Sequence, residues 1–315
     1  MKLRLASLIV LHTLIPLTAA HAADVEPEQC KTVKLASPGW SDIDATNALL
    51  VQQLKALGYK PTVQMLSVPL TYQGLRSGQI DAFLGNWMPA QKFLVDPLFE
   101  QKQIERVATN LERARFTLAV PSYAAEAGIR SFDDLRSKAK DFSNKIYGIE
   151  AGAPANENIK RMIADNKYGL GDWKLVESSD SGLLAQLTHE LRAKKFMVFL
   201  AWEPHIINTR FQITYLTGGE EYFGADAGAA TVSTVTRVGY QQQCPNVTRL
   251  LSQVKFSVEL ENEMIRLNVN QKLDYDSAAK KVLAGDPKLL ANWLDGVKSH
   301  DGGDGLAVVR KSLGI

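Results

Sequence analysis

Residue types that build metal sites are scarce in this sequence. It contains only two cysteines, Cys30 and Cys244, and five histidines in 315 residues. Two of the histidines fall in an N-terminal apolar segment, and no cluster of cysteine and histidine has the spacing of metal ligands. The sequence therefore gives no indication of a metal site.

Motifs of common enzyme classes are missing as well. No G-x-S-x-G segment follows a predicted strand, and no G-x-x-x-x-G-K-[ST] phosphate loop occurs. The adjacent carboxylates of Asp133 and Asp134 stand where a helix begins, a common place for acidic residues. His189 lies on a predicted helix face, and His205 either lines a ligand cleft or makes a structural hydrogen bond. We expect neither enzymatic activity nor a cofactor.

An excess of charge is absent too. The sequence has 36 lysines and arginines against 34 aspartates and glutamates, which gives a formal net charge of +2. No basic stripe is interleaved with aromatic residues, as it would be in a nucleic-acid-binding surface. Nucleic acid is therefore not an expected partner.

The longest apolar run is confined to the N-terminus. "MKLR" supplies a positive start, "LASLIVLHTLIPLTAA" an apolar segment interrupted by His12 and Pro16, and "AHA" a small-residue cleavage site before Ala23. The run is too short for a typical transmembrane helix and fits a signal peptide over residues 1–22. A buried N-terminal helix is the alternative. Because no cysteine directly follows the run, we expect a soluble periplasmic protein without a lipid anchor.

The remaining chain alternates strand and helix signals in two successive series. "TVKLAS", "PTVQMLSV" and "QIDAFLGNW" read as strands of the first series, and "ARFTLAVP", "KIYGIEAG" and "FMVFLAWEP" as strands of the second. This pattern predicts an α/β protein with two lobes and a ligand cleft between them. We expect residues 23–113 and 210–315 to form lobe 1 and residues 114–209 to form lobe 2, with crossings near Arg113 and Thr209.

Three tryptophans end predicted strands, where open parallel sheets bind ligands. They are Trp40 after "KLASPG", Trp87 after "IDAFLGN" and Trp202 after "FMVFLA", whereas Trp173 and Trp293 lack this context and are expected to pack in the core. Core packing or a lid contact is the alternative for each of the three. Several aromatic faces around one point attract a quaternary ammonium group, by about 0.5–2 kcal/mol for each well-placed ring.

The segments "ASPGWSDIDATN", "QIDAFLGNWMP", "YGIEAG" and "FLAWEPH" resemble the periplasmic choline-binding proteins of bacterial ABC importers, which are relatives of the glycine betaine binders. The resemblance spans essentially the whole mature chain. It implies a type II periplasmic binding protein fold whose lobes close on a trimethylammonium compound. It also implies that Trp40, Trp87 and Trp202 are walls of an aromatic cage and that Asp42 is the acidic contact. Capping of a helix is the alternative role for Asp42.

The two cysteines fit the same interpretation. In an exported protein an isolated pair is expected to form a disulfide, with two buried thiols as the alternative. The resemblance matches Cys30 and Cys244 to the cysteine pair of the family. It further implies a membrane permease and an ATPase as partners, and we expect a monomer.

Two positions depart from the family pattern. Phe116 stands where the choline binders have a tyrosine, and Ala153 where they have an asparagine that contacts the ligand hydroxyl, with Asn156 as a nearby substitute. These changes, and a helix predicted to begin near Pro154, favour carnitine over choline, with glycine betaine between them or alongside. An exported two-lobe enzyme or a ligand sensor without transport remains the alternative from another class.

Overall fold

The computed structural model describes residues 26–315. The segment predicted as a signal peptide, residues 1–22, lies outside the described residues. Among the helices of the described part, none combines the length and the apolar character that crossing a bilayer requires.

The described residues form one curled sheet, whose strand order is β2-β1-β3-β9-β4-β7-β5-β6, with β8 paired to β4. Neighbours in the first series, β1 with β2 and β1 with β3, run parallel, as do β5 with β6 and β5 with β7. The strands are β1 (Thr32–Ser37), β2 (Lys60–Met65), β3 (Ala82–Met88), β4 (Ile104–Pro121), β5 (Lys145–Tyr147), β6 (Lys174–Val176), β7 (Val198–Glu203), β8 (Ile213–Tyr215) and β9 (Ala229–Arg237).

Helices follow most of the strands along the chain. They are α1 (Ser41–Ala56), α2 (Val68–Ser77), α3 (Lys92–Glu100), α4 (Ser122–Glu126), α5 (Pro154–Ala164), α6 (Asp180–Arg192), α7 (Ile206–Arg210), α8 (Glu220–Phe223), α9 (Ala225–Gly228), α10 (Tyr240–Gln243), α11 (Pro245–Gln253), α12 (Val258–Gln271), α13 (Tyr275–Gly285), α14 (Pro287–Trp293) and α15 (Gly305–Leu313). The predicted alternation of strand and helix is thus confirmed in both series.

The long strand β4 changes its pairing partners along its length. Residues 104–115 pair with β9, whereas residues 115–121 pair with β7 and β8. Arg113, with a positive φ of 60°, lies just before this change of partner. We therefore propose that the chain first passes between the lobes at Arg113, where the sequence placed the crossing.

The contacts of residues 213–223 bear on where the chain returns to the first lobe. β8 pairs with the second-lobe part of β4, and the Asn158 side chain of α5 donates a hydrogen bond to the Tyr222 carbonyl at 2.9 Å. These contacts join residues 213–223 to α5 and to the second part of β4. We therefore propose a return near Ala229, at the start of β9, instead of near Thr209.

The core residues and the disulfide agree with expectation. Cys30 and Cys244 are bonded, with an S–S distance of 1.99 Å and a Cα–Cα distance of 5.6 Å. Trp173 packs against Phe142, with ring centroids 5.9 Å apart, and Trp293 similarly contacts a neighbouring phenylalanine. Both tryptophans are buried core residues, as predicted.

Candidate functional site

Four aromatic side chains converge on one cavity between the lobes. Trp40 and Trp87 come from the first lobe, and Trp202 and Phe116 from neighbouring strands at the second. The space open to the centre of a water-sized sphere inside it is only ≈ 20 Å³, so the cavity is small. The residues that line it are Trp40, Trp87, Ala90, Gln91, Phe116, Ile149, Pro154, Ala155 and Trp202.

Local backbone geometry places Trp40 at this cavity. β1 ends at Ser37, and the chain turns through Gly39, whose φ of +85° disfavours residues with a side chain. Trp40 then takes the N-cap position of α1 with extended dihedrals, φ −87° and ψ 137°. The tight turn after β1 therefore holds the Trp40 ring at the carboxyl end of the sheet strands.

Strand register places two of the other rings side by side. Phe116 of β4 is the direct cross-strand partner of Trp202 of β7. The ring centroids of Trp87 and Phe116 lie 6.1 Å apart, at an interplanar angle of 52°. The tilted arrangement suits a compact, rounded ligand better than a flat one.

Asp42 joins two of these walls through its carboxylate. The indole N–H of Trp87 donates to one carboxylate oxygen at 3.2 Å, and that of Trp202 donates to the other at 3.3 Å. Burial, with a further contribution from the negative charge of Asp180, raises the pKa of Asp42 to about 7. One carboxylate therefore orients two rings and supplies negative charge beside the cavity.

The third tryptophan, Trp40, donates a hydrogen bond to a second carboxylate, that of Glu150. The indole N–H of Trp40 donates to Glu150 at 2.9 Å, and this contact links the first lobe to the second. Burial raises the pKa of Glu150, and a hydrogen bond from Trp40 counters part of that effect. Glu150 follows β5 within the segment "YGIEAG". It was not among the predicted site residues, although its place at a strand end was a signal for one.

Ala153 and Asn156 do not line the cavity. Ala153 is the buried N-cap residue of α5, and its neighbours Pro154 and Ala155 form the wall instead. The Asn156 side chain bonds both backbone groups of Ile149, at 3.1 and 2.9 Å, and donates to the Glu150 carbonyl at 3.0 Å. It shapes the loop that carries Glu150.

His205 lies behind a wall of the cavity. It is fully buried, and its ring lies 4.3 Å from that of Trp202, centroid to centroid. Its Nε2 is 2.7 Å from the Asp180 carboxylate. The sequence left both a cleft position and a structural hydrogen bond open for His205; the structure provides the hydrogen bond. Asp180, at the start of α6, carried no sequence signal beyond that of a first-turn acid.

Comparison with known proteins places this geometry in context. A solved structure described as an ABC-transporter choline binding protein in complex with choline is 43% identical, with a TM-score of 0.90, and the match covers 91% of this chain and 100% of that chain. An uncharacterized protein of Chromohalobacter salexigens is 44% identical over 156 residues, which are 50% of this chain and 96% of that protein. The glycine betaine/carnitine transport binding protein GbuC of Listeria monocytogenes is 28% identical over 187 residues, 59% of this chain and 60% of that protein.

The family assignment follows from the extent of these matches. The family model for the substrate binding domain of the ABC-type glycine betaine transport system matches residues 31–285, most of the described chain. The similar solved proteins have the two-lobe fold that was predicted from the alternating strands and helices. This chain belongs to the family of substrate-binding domains of ABC-type glycine betaine transport systems.

Proposed function

We propose that the protein is a periplasmic solute-binding protein that holds a trimethylammonium compound in the aromatic cavity and delivers it to an ABC importer. The main support is one arrangement: three indole rings and the Phe116 ring surround a small cavity, and every indole N–H donates to a carboxylate. The rings then present their faces, which carry the negative part of the quadrupole, to the ligand.

The chemistry of the cavity fits a trimethylammonium head. Its methyl groups are apolar and its charge is diffuse, so that it gains from burial against rings and needs no hydrogen-bond acceptor. Each well-placed ring contributes about 0.5–2 kcal/mol of cation–π attraction. Asp42 and Glu150 add negative charge from two sides, and none of the lining residues is basic.

The other end of the ligand is better matched by a neutral hydroxyl than by a carboxylate. Pro154, the first residue of α5, has no N–H to offer an anion, and the N–H of Ala153 already donates to the Glu150 carbonyl at 3.1 Å. The Glu150 carboxylate nearby would repel a second carboxylate. We therefore propose choline as the preferred ligand, which reverses the preference for carnitine that the sequence suggested from Ala153.

A thermal-shift panel of choline, glycine betaine, carnitine, proline and spermidine tests this proposal. Ligands that bind the native state raise the melting temperature as their concentration exceeds the dissociation constant. We expect the largest shift with choline, smaller shifts with the two carboxylate compounds and none with proline or spermidine. A shift with spermidine or proline alone would reject the cage, whereas carnitine above choline would restore the sequence-based preference. Recovery of unchanged choline after incubation would separate a binding protein from an enzyme.

Ligand affinity is expected to fall at acidic pH. In the folded protein the pKa of Asp42 is about 7, and the other carboxyls that act on it are those of Asp180 and Glu261, the latter with a pKa well above its usual range because it is buried. A bound cation favours ionised Asp42, so below pH 7 binding must first remove its proton. Affinity should be constant above about pH 8 and lose up to about ten-fold per pH unit below 7.

Calorimetric titration of choline in buffers of different ionisation enthalpy measures the proton released. We expect release near pH 6 in the wild type and much less in Asp42→Asn. The stability of the unliganded fold depends on pH in the opposite direction to the ligand affinity. Because the pKa of Asp42 is higher in the folded protein than its usual value, protonated Asp42 stabilises the fold fully below about pH 4, and this contribution is lost as the pH rises through 7. If the affinity for choline did not change between pH 5 and pH 8, Asp42 would not face the cation.

A further inference from the structure

Helix α1 begins without a capping side chain of its own. Its N-cap residue is Trp40, which has no acceptor, and no side-chain cap is formed there. The backbone N–H of Ser41, the first residue of the helix, is one of the groups that the helix itself cannot pair. It donates instead to the Asp180 carboxylate at 3.0 Å. Asp180 is the first residue of α6 in the second lobe, so this cap is supplied across the cleft.

Asp180 is held in place from behind by His205. The Nδ1 of His205 accepts a hydrogen bond from the backbone N–H of Ile207 at 3.2 Å, so its proton resides on Nε2. Nε2 then donates to the other oxygen of Asp180 at 2.7 Å. Both carboxylate oxygens are engaged, one within the second lobe and one on the first lobe. The negative charge also lies at the positive end of the dipole of a 16-residue helix.

The same histidine contacts a wall of the aromatic cavity, Trp202. Its ring packs against that of Trp202, with centroids 4.3 Å apart and planes tilted by 40°, so one contiguous set of contacts leads from the cavity wall through His205 and Asp180 to Ser41. Because these two groups come from different lobes, opening of the cleft would separate the Ser41 N–H from the Asp180 oxygen and return each to water. The contact between His205 and Asp180 lies within one lobe and does not need closure.

We propose that Asp180, oriented by His205, is a positioning residue that fastens the closed form by capping α1 across the cleft and thereby slows the escape of the bound ligand. The inference rests on the proposed function, because ligand dissociation is its readout. A hydrogen bond to a charged acceptor is strong enough to change a dissociation rate by about ten-fold or more.

Ser41→Pro tests this bridge with little disturbance of the fold. Proline is well tolerated at the first position of a helix, and the extended dihedrals of Trp40, φ −87° and ψ 137°, are those that a residue before proline requires. The substitution deletes the Ser41 N–H, which donates a hydrogen bond to Asp180 across the cleft. Stopped-flow fluorescence with choline should show dissociation about ten-fold faster than in the wild type. The melting temperature of the unliganded protein should be equal or higher, since proline restricts the unfolded chain.

Companion variants separate the bridge from general effects. Ser41→Ala loses only the hydroxyl and should release choline several-fold more slowly than Ser41→Pro. Asp180→Asn should release choline faster than the wild type. Adding Ser41→Pro to Asp180→Asn should change the dissociation rate little further, because both substitutions disrupt the same hydrogen bond. Asp172→Asn, at an exposed site of the second lobe, should match the wild type.

The possible outcomes are distinct. Unchanged dissociation in Ser41→Pro, or full additivity of Ser41→Pro and Asp180→Asn, would overturn the bridge while leaving the proposed function intact. A wild-type protein that binds no trimethylammonium compound would overturn both. Faster dissociation together with a lowered melting temperature of unliganded Ser41→Pro would also count against the bridge, because it would indicate damage to α1.

Discussion

Asp42→Asn is expected to weaken choline binding by about a hundred-fold, the largest effect of any single substitution in the site. Asparagine keeps the size of the side chain but removes the charge that faces the cation. It also offers one oxygen where the carboxylate offers two, so one of the indole N–H groups of Trp87 and Trp202 loses its acceptor. The substitution therefore removes the negative charge and also one of the two hydrogen bonds that orient the rings of Trp87 and Trp202.

Isothermal titration at pH 8, where Asp42 of the wild type is ionised, measures this effect most cleanly. Asp44→Asn is the matched control, because Asp44 lies on the same helix turn and accepts a hydrogen bond from Ser37 outside the cavity. The control should bind choline within about two-fold of the wild type, as expected for a site that does not touch the ligand. If Asp42→Asn bound as tightly as Asp44→Asn, the cation would have to reside elsewhere.

Trp87→Ala and Trp202→Ala are each expected to weaken choline binding by about 1–3 kcal/mol, roughly five- to a hundred-fold. Each loses a ring face and a donor to Asp42. The phenylalanine variants keep a face and lose only the donor, so they should lie between alanine and the wild type. Folding should largely persist, because these rings line the cleft between the lobes.

Equilibrium titration with choline, paired with circular dichroism, separates binding from folding. Trp173→Phe serves as the control, because Trp173 is buried beside Phe142 away from the cavity. It should lower stability and leave affinity unchanged. An alanine variant of Trp87 or Trp202 that unfolds, yet binds normally when its folded fraction is taken into account, would assign that ring to packing.

The sequence predicted best what depends on local pattern. The strand–helix alternation gave the order of elements, and the positions of Trp40, Trp87 and Trp202 after strands indicated a common site. The first half of β4 was missed, because residues 104–113 alternate little between apolar and polar side chains and most are partly exposed. A strand whose partners lie far along the chain leaves a weak local signal.

The contacts between the lobes could not be predicted from local sequence patterns. Glu150 meets Trp40, and Asp180 meets Ser41, across separations of 110 and 139 residues. Neither acid has a neighbour in sequence that marks it as a partner of a distant N–H. The placement of Asn156 was missed for a related reason: its hydrogen bonds to the loop backbone satisfy the side chain and leave it no free group for a ligand.

The most direct test of the central claim compares tetramethylammonium with a neutral analogue of choline in which carbon replaces the nitrogen. Tetramethylammonium has the head group alone, and the neutral analogue has the shape of choline without its charge. If the rings and Asp42 recognise a quaternary cation, calorimetry should detect binding of tetramethylammonium, and the neutral analogue should bind about a hundred-fold more weakly than choline. Equal affinity for choline and its neutral analogue, or no binding of tetramethylammonium, would contradict the account.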